Sequence, residues 1–534
     1  MKENDTNRLV KGALWLSIAG LLSKILSAGY RIPLQNLTGD MGFYIYQQIY
    51  PLLGIATMLA LYGFPSAISA VTSRELSQEK RLTWNSFYAP ILAILCIFHF
   101  LLAAVIWISA PLLAETINEA SLIWSYRLTA IVFLFIPVVA LFRGVLQGMY
   151  QMIPTAVSQI GEQLVRVGII ISAACLVAFS SYSIDWIGMA AVYATFFGIC
   201  MATIILLVFY VKERNQLQSF PKNSDNSFSI KPFISTVLIL GIAAAMNHMT
   251  LLFIQLADAI TFVPQLLEFG WGNIEAKELK GVFDRGQPLI QLVTVLGSSI
   301  ALTILPMISE KKLKTEKLHV YTYVRTAFLT GFYIVIGAVI GLLLLLPEIN
   351  RLLFQNEQGS IELRVLMLSV VFATLAIIGS TVLQGFGYIK RTALFIAITF
   401  FIKWIGNQLL IPNLGMMGAA IATVCSLLCL FLLIMMEIRR KLPELHISRS
   451  IQWKSIFVAA GILTFYVCIW KLFIPQIWLG SRLFLLIYLM AVCFSGGIIY
   501  FIFILRMQGF TKHQLQLLPK STLLLRLAEK RNKL

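Results

Sequence analysis

The sequence predicts an all-α integral membrane protein, a bundle of about 14 transmembrane helices, and three observations support this prediction. Of its 534 residues, 59% are hydrophobic and only 12% are charged, about half the charged fraction of a soluble domain. The hydrophobic residues form blocks of roughly 20 to 28 residues, long enough to cross a hydrocarbon core about 30 Å thick. These blocks are continuous rather than alternating. That pattern argues against a strand barrel and, because lipid cannot satisfy backbone polar groups, requires helices.

Each hydrophobic block is predicted to be one membrane segment. The shortest segment, 392–411, contains Lys403. The first segment continues past Lys24 to Arg31 without a small-residue cleavage site, so we predict a retained helix rather than a signal peptide. The segments are 10–32, 43–72, 87–109, 121–142, 155–180, 186–211, 232–260, 282–306, 320–346, 361–385, 392–411, 415–437, 452–474 and 482–505.

The net charge of +18 is concentrated in alternate loops and in the C-terminal tail. Basic residues mark the cytoplasmic side of a membrane protein, so we predict a plasma-membrane protein with both termini in the cytoplasm. The basic, partly amphipathic tail 508–534 is predicted to lie on the inner membrane surface. No nucleic-acid-binding module accompanies the charge, so we expect no nucleic-acid partner.

The two halves of the chain match at an offset of 237 residues. Val145-Leu146-Gln147-Gly148 recurs as Val382-Leu383-Gln384-Gly385, and Arg166 falls on Lys403. The offset spans six segments, so both copies begin on the same side and form a parallel repeat. We therefore predict an N-lobe of segments 1–6 (1–215), a C-lobe of segments 7–12 (216–445) and two appended segments, 13 and 14 (446–507). Two such lobes suit alternating access to a site between them.

Several ionisable residues fall within membrane segments, where an unpaired charge is costly and marks a candidate site. Lys24 has no acid four residues away on either side, and Arg31 lies seven residues further on the same helical face. Arg285 opens segment 8 in the sequence Asp284-Arg285-Gly286-Gln287-Pro288. Unpaired bases of this kind would attract an anion such as a diphosphate. The alternative is pairing between helices, with Asp40, Asp258 or Asp284 as partners.

Other interior charges have structural explanations. Glu162 and Arg166 are four residues apart, so they can neutralise each other on one helical face. His248 fits a satisfied interior histidine better than a proton carrier, and Asp258 lies near a segment end where it can be solvated. Lys403 joins these residues as a cavity or pairing candidate.

Signals for an enzyme or a metal site are missing from the sequence. It contains no Gly-Lys-Ser/Thr phosphate loop, no His-Glu-x-x-His and no nucleophile elbow. The longest polar loops, near 212–231 and 264–281, are too short for a catalytic domain. We therefore predict no enzymatic activity, no cofactor and no metal.

Two stretches of the sequence resemble a known family. They are Leu22-Ser23-Lys24-Ile25-Leu26, with Tyr30-Arg31-Ile32-Pro33-Leu34 and Gly42-Phe43-Tyr44-Ile45-Tyr46-Gln47 after it, and Phe283-Asp284-Arg285-Gly286-Gln287-Pro288-Leu289-Ile290-Gln291-Leu292. Both resemble the SpoVB-type polysaccharide-transporter branch of the MOP superfamily, which includes MurJ lipid II flippases and, more distantly, MATE antiporters.

The resemblance implies a function and a set of contacts. It implies two lobes around a cationic cavity that moves polyprenyl-diphosphate-linked saccharides outward, with segments 13 and 14 forming a groove for the lipid tail. By resemblance, Ser23-Lys24 and Arg285 occupy the cavity positions of MurJ-type proteins, and Gln287 and Asp284 lie beside Arg285. The family's arginine is a lysine at position 24, which loses a planar, two-pronged contact. The implied partners are the lipid-linked saccharide, membrane lipids and envelope-synthesis enzymes.

Two other functions remain open. A MATE-like cation or drug antiporter would need an anionic cavity, whereas the first segment carries bases. A non-transporting scaffold for envelope assembly would not depend on Lys24, Arg31 or Arg285.

Overall fold

The computed structural model describes residues 3–78, 82–180, 182–218, 230–304, 317–445, 447–473, 480–518 and 521–529. Within these ranges the regular structure is helical, with no strand. The helices are α1 Glu3–Gly29, α2 Arg31–Met58, α3 Phe64–Ser77, α4 Ala89–Thr116, α5 Ile123–Gly148, α6 Ile153–Phe179, α7 Trp186–Gln218, α8 Ile230–His248, α9 Thr250–Phe269, α10 Asn273–Asp284, α11 Gly286–Ile304, α12 Lys317–Phe354, α13 Ser360–Gly385, α14 Ile389–Leu414, α15 Met416–Lys441, α16 Ile447–Ser450, α17 Trp453–Phe473, α18 Arg482–Arg506, α19 Lys512–Gln516 and α20 Ser521–Glu529.

These bounds confirm the predicted all-α membrane bundle. In the described residues, 12 stretches are long and apolar enough to cross a membrane. One of them, 18–77, has 60 residues and as a straight helix would be about 90 Å long, three times the hydrocarbon thickness. The chain leaves helical geometry within it at Gly39, with φ 69° and ψ −173°, where only glycine fits easily. This stretch therefore holds two crossings, consistent with a count near the predicted 14.

The seventh predicted segment and the loop after it differ from the prediction. Segment 232–260 consists of α8 and α9, which are interrupted at Met249 and continue to Phe269. The sequence 264–281, predicted as a polar loop, is largely helical, because α9 reaches Phe269 and α10 occupies Asn273–Asp284. The apolar face of α10 is buried at Val282 and Phe283, and such one-sided burial stabilises a short helix that looks polar in sequence.

The duplication seen in the sequence is repeated in the backbone. Helices α5 and α13 each have 26 residues and begin and end 237 positions apart. Left-handed backbone recurs at the same offset, at Asn118 and Gln355 and again at Tyr150 and Gly387. A non-glycine residue adopts this conformation rarely. Its recurrence at matched positions therefore supports a repeat of structure as well as of sequence.

Packing divides the chain into two compact units, of which the first contains Met1–Asp284 and Ile389–Gly415. In this unit α6 packs on α7, α3 packs on α5 and α8, and α9 packs on α14. The unit boundaries describe packing, whereas the lobes 1–215 and 216–445 were inferred from the repeat. The lobe boundaries remain a prediction.

The second unit contains Arg285–Tyr388 and Met416–Leu534. In it, α12 packs on α13, α17 and α18 around a buried apolar cluster that includes Tyr333 and Tyr500. Both tyrosine hydroxyls are satisfied by backbone carbonyls, with Tyr333 Oη donating to Gly509 O at 2.9 Å and Tyr500 Oη donating to Tyr333 O at 2.9 Å. Segments 13 and 14 are thus fixed to the rest of this unit.

Candidate functional site

Arg31 is fully buried in the first unit, at the start of α2. Its guanidinium carbon lies 4.1 Å from the centre of the Tyr50 ring. None of its three side-chain nitrogens has a hydrogen-bond partner among the described residues. A buried guanidinium normally forms several charge-assisted hydrogen bonds. The Tyr30 hydroxyl lies close to the guanidinium, but no carboxylate of the described residues forms a salt bridge with it.

A group of tyrosines surrounds Arg31. Tyr30 and Tyr46 share a hydrogen bond between their hydroxyls, and their rings meet edge to face with centroids 6.0 Å apart. Tyr46 in turn contacts Tyr50, with centroids 5.7 Å apart. These rings give Arg31 an electron-rich aromatic surface that attracts a cation without neutralising it. The positive charge therefore remains available.

Lys24 lies on α1, about two turns before Arg31, and is only half-buried. It forms no hydrogen bond or salt bridge within the part of the chain that the structure describes. A charged ammonium is stable at membrane depth when it faces water or an anion. Lys24 and Arg31, predicted from the sequence as unpaired bases, both lie in the first unit, with different neighbours.

A second basic group lies on α5 and α6. Glu162 Oε2 accepts a 3.0 Å salt bridge from Arg143 Nη2, and its Oε1 accepts one of 2.6 Å from Arg166 Nη2. Arg166 also donates to Thr57 Oγ1 at 3.2 Å. Arg143, Glu162 and Arg166 therefore form one ion group, in which two guanidiniums share one carboxylate and leave an excess of one positive charge.

Arg143 has a further role in this group. Leu59–Gly63 forms a π-helical turn between α2 and α3, which releases a carbonyl from the regular helical pattern. Arg143 Nη1 donates to Ala60 O in that turn at 3.2 Å. The arginine thus connects the irregular backbone of one helix to the carboxylate of another.

The predicted candidates Asp258 and Lys403 form a different kind of group, a neutral network. Both are fully buried, and Lys403 Nζ lies 2.8 Å from Asp258 Oδ1. Asn407 accepts from Lys403 Nζ at 2.8 Å and donates to Asp258 Oδ1 and Thr261 Oγ1, each at 2.8 Å. Asp258 is therefore not solvated at a helix end, as the sequence had suggested, because α14 covers it.

Asp284 forms a separate ion pair close to this neutral network. It is buried and ion-paired with Lys280, one turn earlier on α10. Lys280 also lies 5.5 Å from the centre of the Phe262 ring. Asp284 is close enough to Arg31 and Asp258 to act on both electrostatically. Its direct partner is nevertheless Lys280, so Asp284 balances a charge on its own helix.

Arg285 and Gln287 begin the second unit. Arg285 is fully buried, donates from Nη1 to Asn356 Oδ1 at 2.5 Å and lies 5.3 Å from the centre of the Phe354 ring. An amide partner holds the guanidinium in place without cancelling its charge. Gln287 is also buried, one residue after Gly286 starts α11.

Sequence reasoning missed Arg143, Lys280 and Asn407. Arg143 was placed just beyond the end of a segment, whereas α5 continues to Gly148. Lys280 was assigned to a polar loop. Asn407 carries no charge and gave no signal by type, although it lies one turn after Lys403, a spacing that permits contact.

Comparison with known proteins gives a consistent picture. The profile of the family described as "Polysaccharide biosynthesis protein" matches residues 9–312. The chain is 34% identical to "Uncharacterized membrane protein YabM" of Bacillus subtilis (strain 168), covering 95% of this chain and 94% of that protein. It is 24% identical to "Lipid II flippase MurJ" of the same organism, covering 80% of this chain and 83% of that protein. "Stage V sporulation protein B" is 23% identical, covering 81% and 84%.

Solved structures share the fold. "Lipid II flippase MurJ, inward closed conformation" superposes with a TM-score of 0.65 at 13% identity, covering 92% of this chain and 99% of that one. An inward-facing multidrug resistance MATE transporter of the MOP superfamily gives a TM-score of 0.54 at 14% identity, covering 79% and 95%. The family profile covers more than half of the chain, and a relative above 30% identity covers nearly all of it. The chain therefore belongs to the polysaccharide biosynthesis protein family, in the polysaccharide-transporter branch of the MOP superfamily.

Proposed function

We propose that this protein is a flippase that moves a polyprenyl-diphosphate-linked saccharide from the inner to the outer leaflet of the plasma membrane by alternating access. The observation that carries the proposal is Arg31, a buried guanidinium with no hydrogen-bond partner among the described residues. A diphosphate offers the oxygens that such a group lacks. The similarity to a lipid II flippase and to a sporulation protein of the same family supports a lipid-linked saccharide as the cargo class.

The roles of individual residues follow from their chemistry. In the first unit, Arg31 would hold phosphate oxygens through paired N–H donors, and Lys24 would supply a mobile point charge. In the second unit, Arg285 offers the same paired N–H donors to an anion. Gln287 would add an amide contact beside Arg285. Glu162, paired with two arginines, and the Asp258–Lys403 and Lys280–Asp284 pairs would fix the helices around the headgroup. The two lysine–aspartate pairs contribute no net charge, whereas Glu162 and its two arginines keep an excess of one positive charge.

The second unit contains an apolar cavity suited to the lipid tail. It measures about 430 Å³ and lies among α11, α12, α17 and α18. Gly337, Gly341 and Gly497 line it together with Leu463 and Tyr500. Small residues on packed helices leave space for a chain of methyl-branched units, and the lining is almost entirely apolar. This supports the proposed groove formed by segments 13 and 14.

The direction of transport fits the proposed topology. With both termini in the cytoplasm, a diphosphate that leaves the negative interior gains about 2.3 kcal/mol per charge per 100 mV of membrane potential. Outward movement of an anion would thus need no ATPase.

Complementation tests the proposal. A cell depleted of its lipid II flippase should grow when it expresses this chain, and Lys24→Ala and Arg285→Ala should reduce rescue by about tenfold or more in plating efficiency, because each removes a charge-assisted contact. Arg351→Ala is the matched control, since Arg351 forms a partly exposed pair with Glu357. Full rescue by both cavity variants would contradict the proposed site.

The two alternatives predict different results. A MATE-like antiporter would raise drug resistance in a sensitive host, and its anionic cavity does not fit the excess of arginine and lysine here. A scaffold for envelope enzymes would support growth equally well with Lys24, Arg31 and Arg285 neutralised. In liposomes, movement of a fluorescent prenyl-diphosphate saccharide that ignored an imposed potential would contradict the electrical coupling.

A further inference from the structure

Two irregular pieces of backbone meet inside the first unit. One is the π-helical turn Leu59–Gly63, and the other is the interruption at Met249 between α8 and α9. The π turn packs closely on α8 just before this interruption, because a Cβ at Gly63 would lie 2.7 Å from Ala245 Cβ and 2.9 Å from Gly241 O. Irregular backbone at membrane depth persists where it is buried in protein or lines a wet cavity, and π turns are frequent at functional sites.

A tyrosine and a histidine stack at this junction. The rings of Tyr62, in the π turn, and His248, the last residue of α8, have centroids 4.2 Å apart and planes inclined by 17°. The His248 side chain is exposed, and neither of its ring nitrogens has a hydrogen bond within the described ranges. His99 differs from His248 in both respects, because it is fully buried and its Nδ1 is hydrogen-bonded to Leu95 O at 2.8 Å. His248 is therefore not the satisfied interior histidine that the sequence suggested.

Lys24 on α1 lies near the stacked rings of Tyr62 and His248. Its ammonium is close enough to act electrostatically on the His248 imidazole, and Gly20, one turn earlier on α1, brings that helix near the Tyr62 hydroxyl. Lys24 is half-buried and His248 is exposed, so both side chains are accessible beside the Tyr62 ring.

The other titratable groups on neighbouring helices are occupied or distant. On α14, Lys403 is held by Asp258 and Asn407; on α4, the His99 ring lies against Phe64 and Phe98. Arg143 contacts Glu162 and Ala60. On α3, Arg74 and Glu75 lie three turns beyond the π turn. Lys24 is therefore the charged group that acts electrostatically on the imidazole.

From this arrangement we infer that His248, whose ring stacks on that of Tyr62, is a second headgroup-binding residue beside Lys24. We infer further that its imidazole takes up a proton when a diphosphate binds. Without an anion beside it, the Lys24 charge opposes a second cation nearby. A bound diphosphate reverses that field and favours the imidazolium, which then donates to a phosphate oxygen. Because protonation and binding favour each other, lowering the pH strengthens binding and raising it weakens binding. This inference rests on the proposed function.

Binding measured at two pH values tests it. The protein is the full chain in nanodiscs, and the two values are about pH 5.5 and 7.5. The probe is a short-chain prenyl-diphosphate N-acetylglucosamine, a diphosphate diester whose own charge is the same at both values. We expect the parent to bind about five- to tenfold more tightly at the lower pH, since one linked protonation can change affinity by up to about tenfold per pH unit. His248→Gln should lose this pH dependence, and Tyr62→Leu should reduce it. Tyr62→Phe, which keeps the ring, should preserve it.

The controls separate the two hypotheses. His513→Gln removes an exposed histidine of α19 and should leave the pH dependence unchanged. If His248→Gln keeps the slope of the parent, or if the parent binds equally at both pH values, the inference about His248 is wrong while the diphosphate site stands. If the parent fails to bind the probe at either pH, the proposed diphosphate site fails as well.

Discussion

Arg31 and Lys403 are two interior cations of the same unit, and both are fully buried. Lys403 contacts a carboxylate on another helix and an amide on its own, so its charge is neutralised. Arg31 contacts an aromatic ring and has no hydrogen bond among the described residues. The difference shows that burial alone does not reveal the role of a charge. A paired cation joins helices, whereas an unpaired one retains its binding capacity for a ligand.

The largest effect on stability is expected from Lys403→Met. The substitution leaves the Asp258 carboxylate buried without its cation, and breaking a buried pair in this way costs about 3–5 kcal/mol. The measurement is the unfolding midpoint of the purified protein in detergent. Lys403→Met combined with Asp258→Asn should recover most of the loss. A single variant as stable as the parent would show that Asp258 is solvated or protonated.

Glu162→Gln should have the next largest effect. It keeps the shape of the side chain but removes the charge shared by Arg143 and Arg166, and it replaces one acceptor oxygen with an NH2 donor. Two buried arginines then lack an anion, and we expect a loss of about 2–3 kcal/mol in the same assay. Glu357→Gln, at the partly exposed pair with Arg351, is the matched control and should cost less than about 1 kcal/mol. Equal losses in both variants would contradict the distinction.

Gly281→Ala tests the contact between the helices that carry these charges. A Cβ at Gly281 would lie 2.2 Å from Asp40 O, so α10, which holds Lys280 and Asp284, would have to move away from α2, which holds Arg31. Overpacking of this size costs about 1–3 kcal/mol. Gly168→Ala, where no neighbour lies within 4 Å, should be neutral or slightly stabilising. Tolerance of both changes would mean that α10 is not tightly fixed.

The smallest stability effect is expected from Arg31→Met. Because Arg31 has no hydrogen bond to lose within the described chain, a side chain of similar size should change stability by less than about 1 kcal/mol or increase it. Transport of the lipid-linked probe should fall by about tenfold or more, since a charge-assisted contact is lost. Unfolding and transport are measured on the same preparation. A severe loss of stability would place Arg31 with Lys403 as a structural cation.

Much of this arrangement could be predicted from the sequence. The predicted segments match the observed helices from α4 onward to within a few residues, apart from the interruption at Met249, the additional helix α10 and the longer ends of α4, α5, α7, α9 and α12. Lys24, Arg31 and Arg285 were identified because a charge inside an apolar block is unusual whatever surrounds it. The ion-pair partners of the interior charges could not be predicted in this way. Asp258 and Lys403 are 145 positions apart, and no local pattern indicates that their helices touch.

The sequence by itself determined that the chain crosses a membrane as helices, that its two halves are duplicated and that its interior carries excess positive charge. These properties depend on local composition and on the hydrogen-bonding needs of backbone in lipid. Only the tertiary structure decided which charges are paired and which are not. Pairing depends on a distance of a few ångströms between distant helices, and a contact at that range either neutralises a charge or leaves it available.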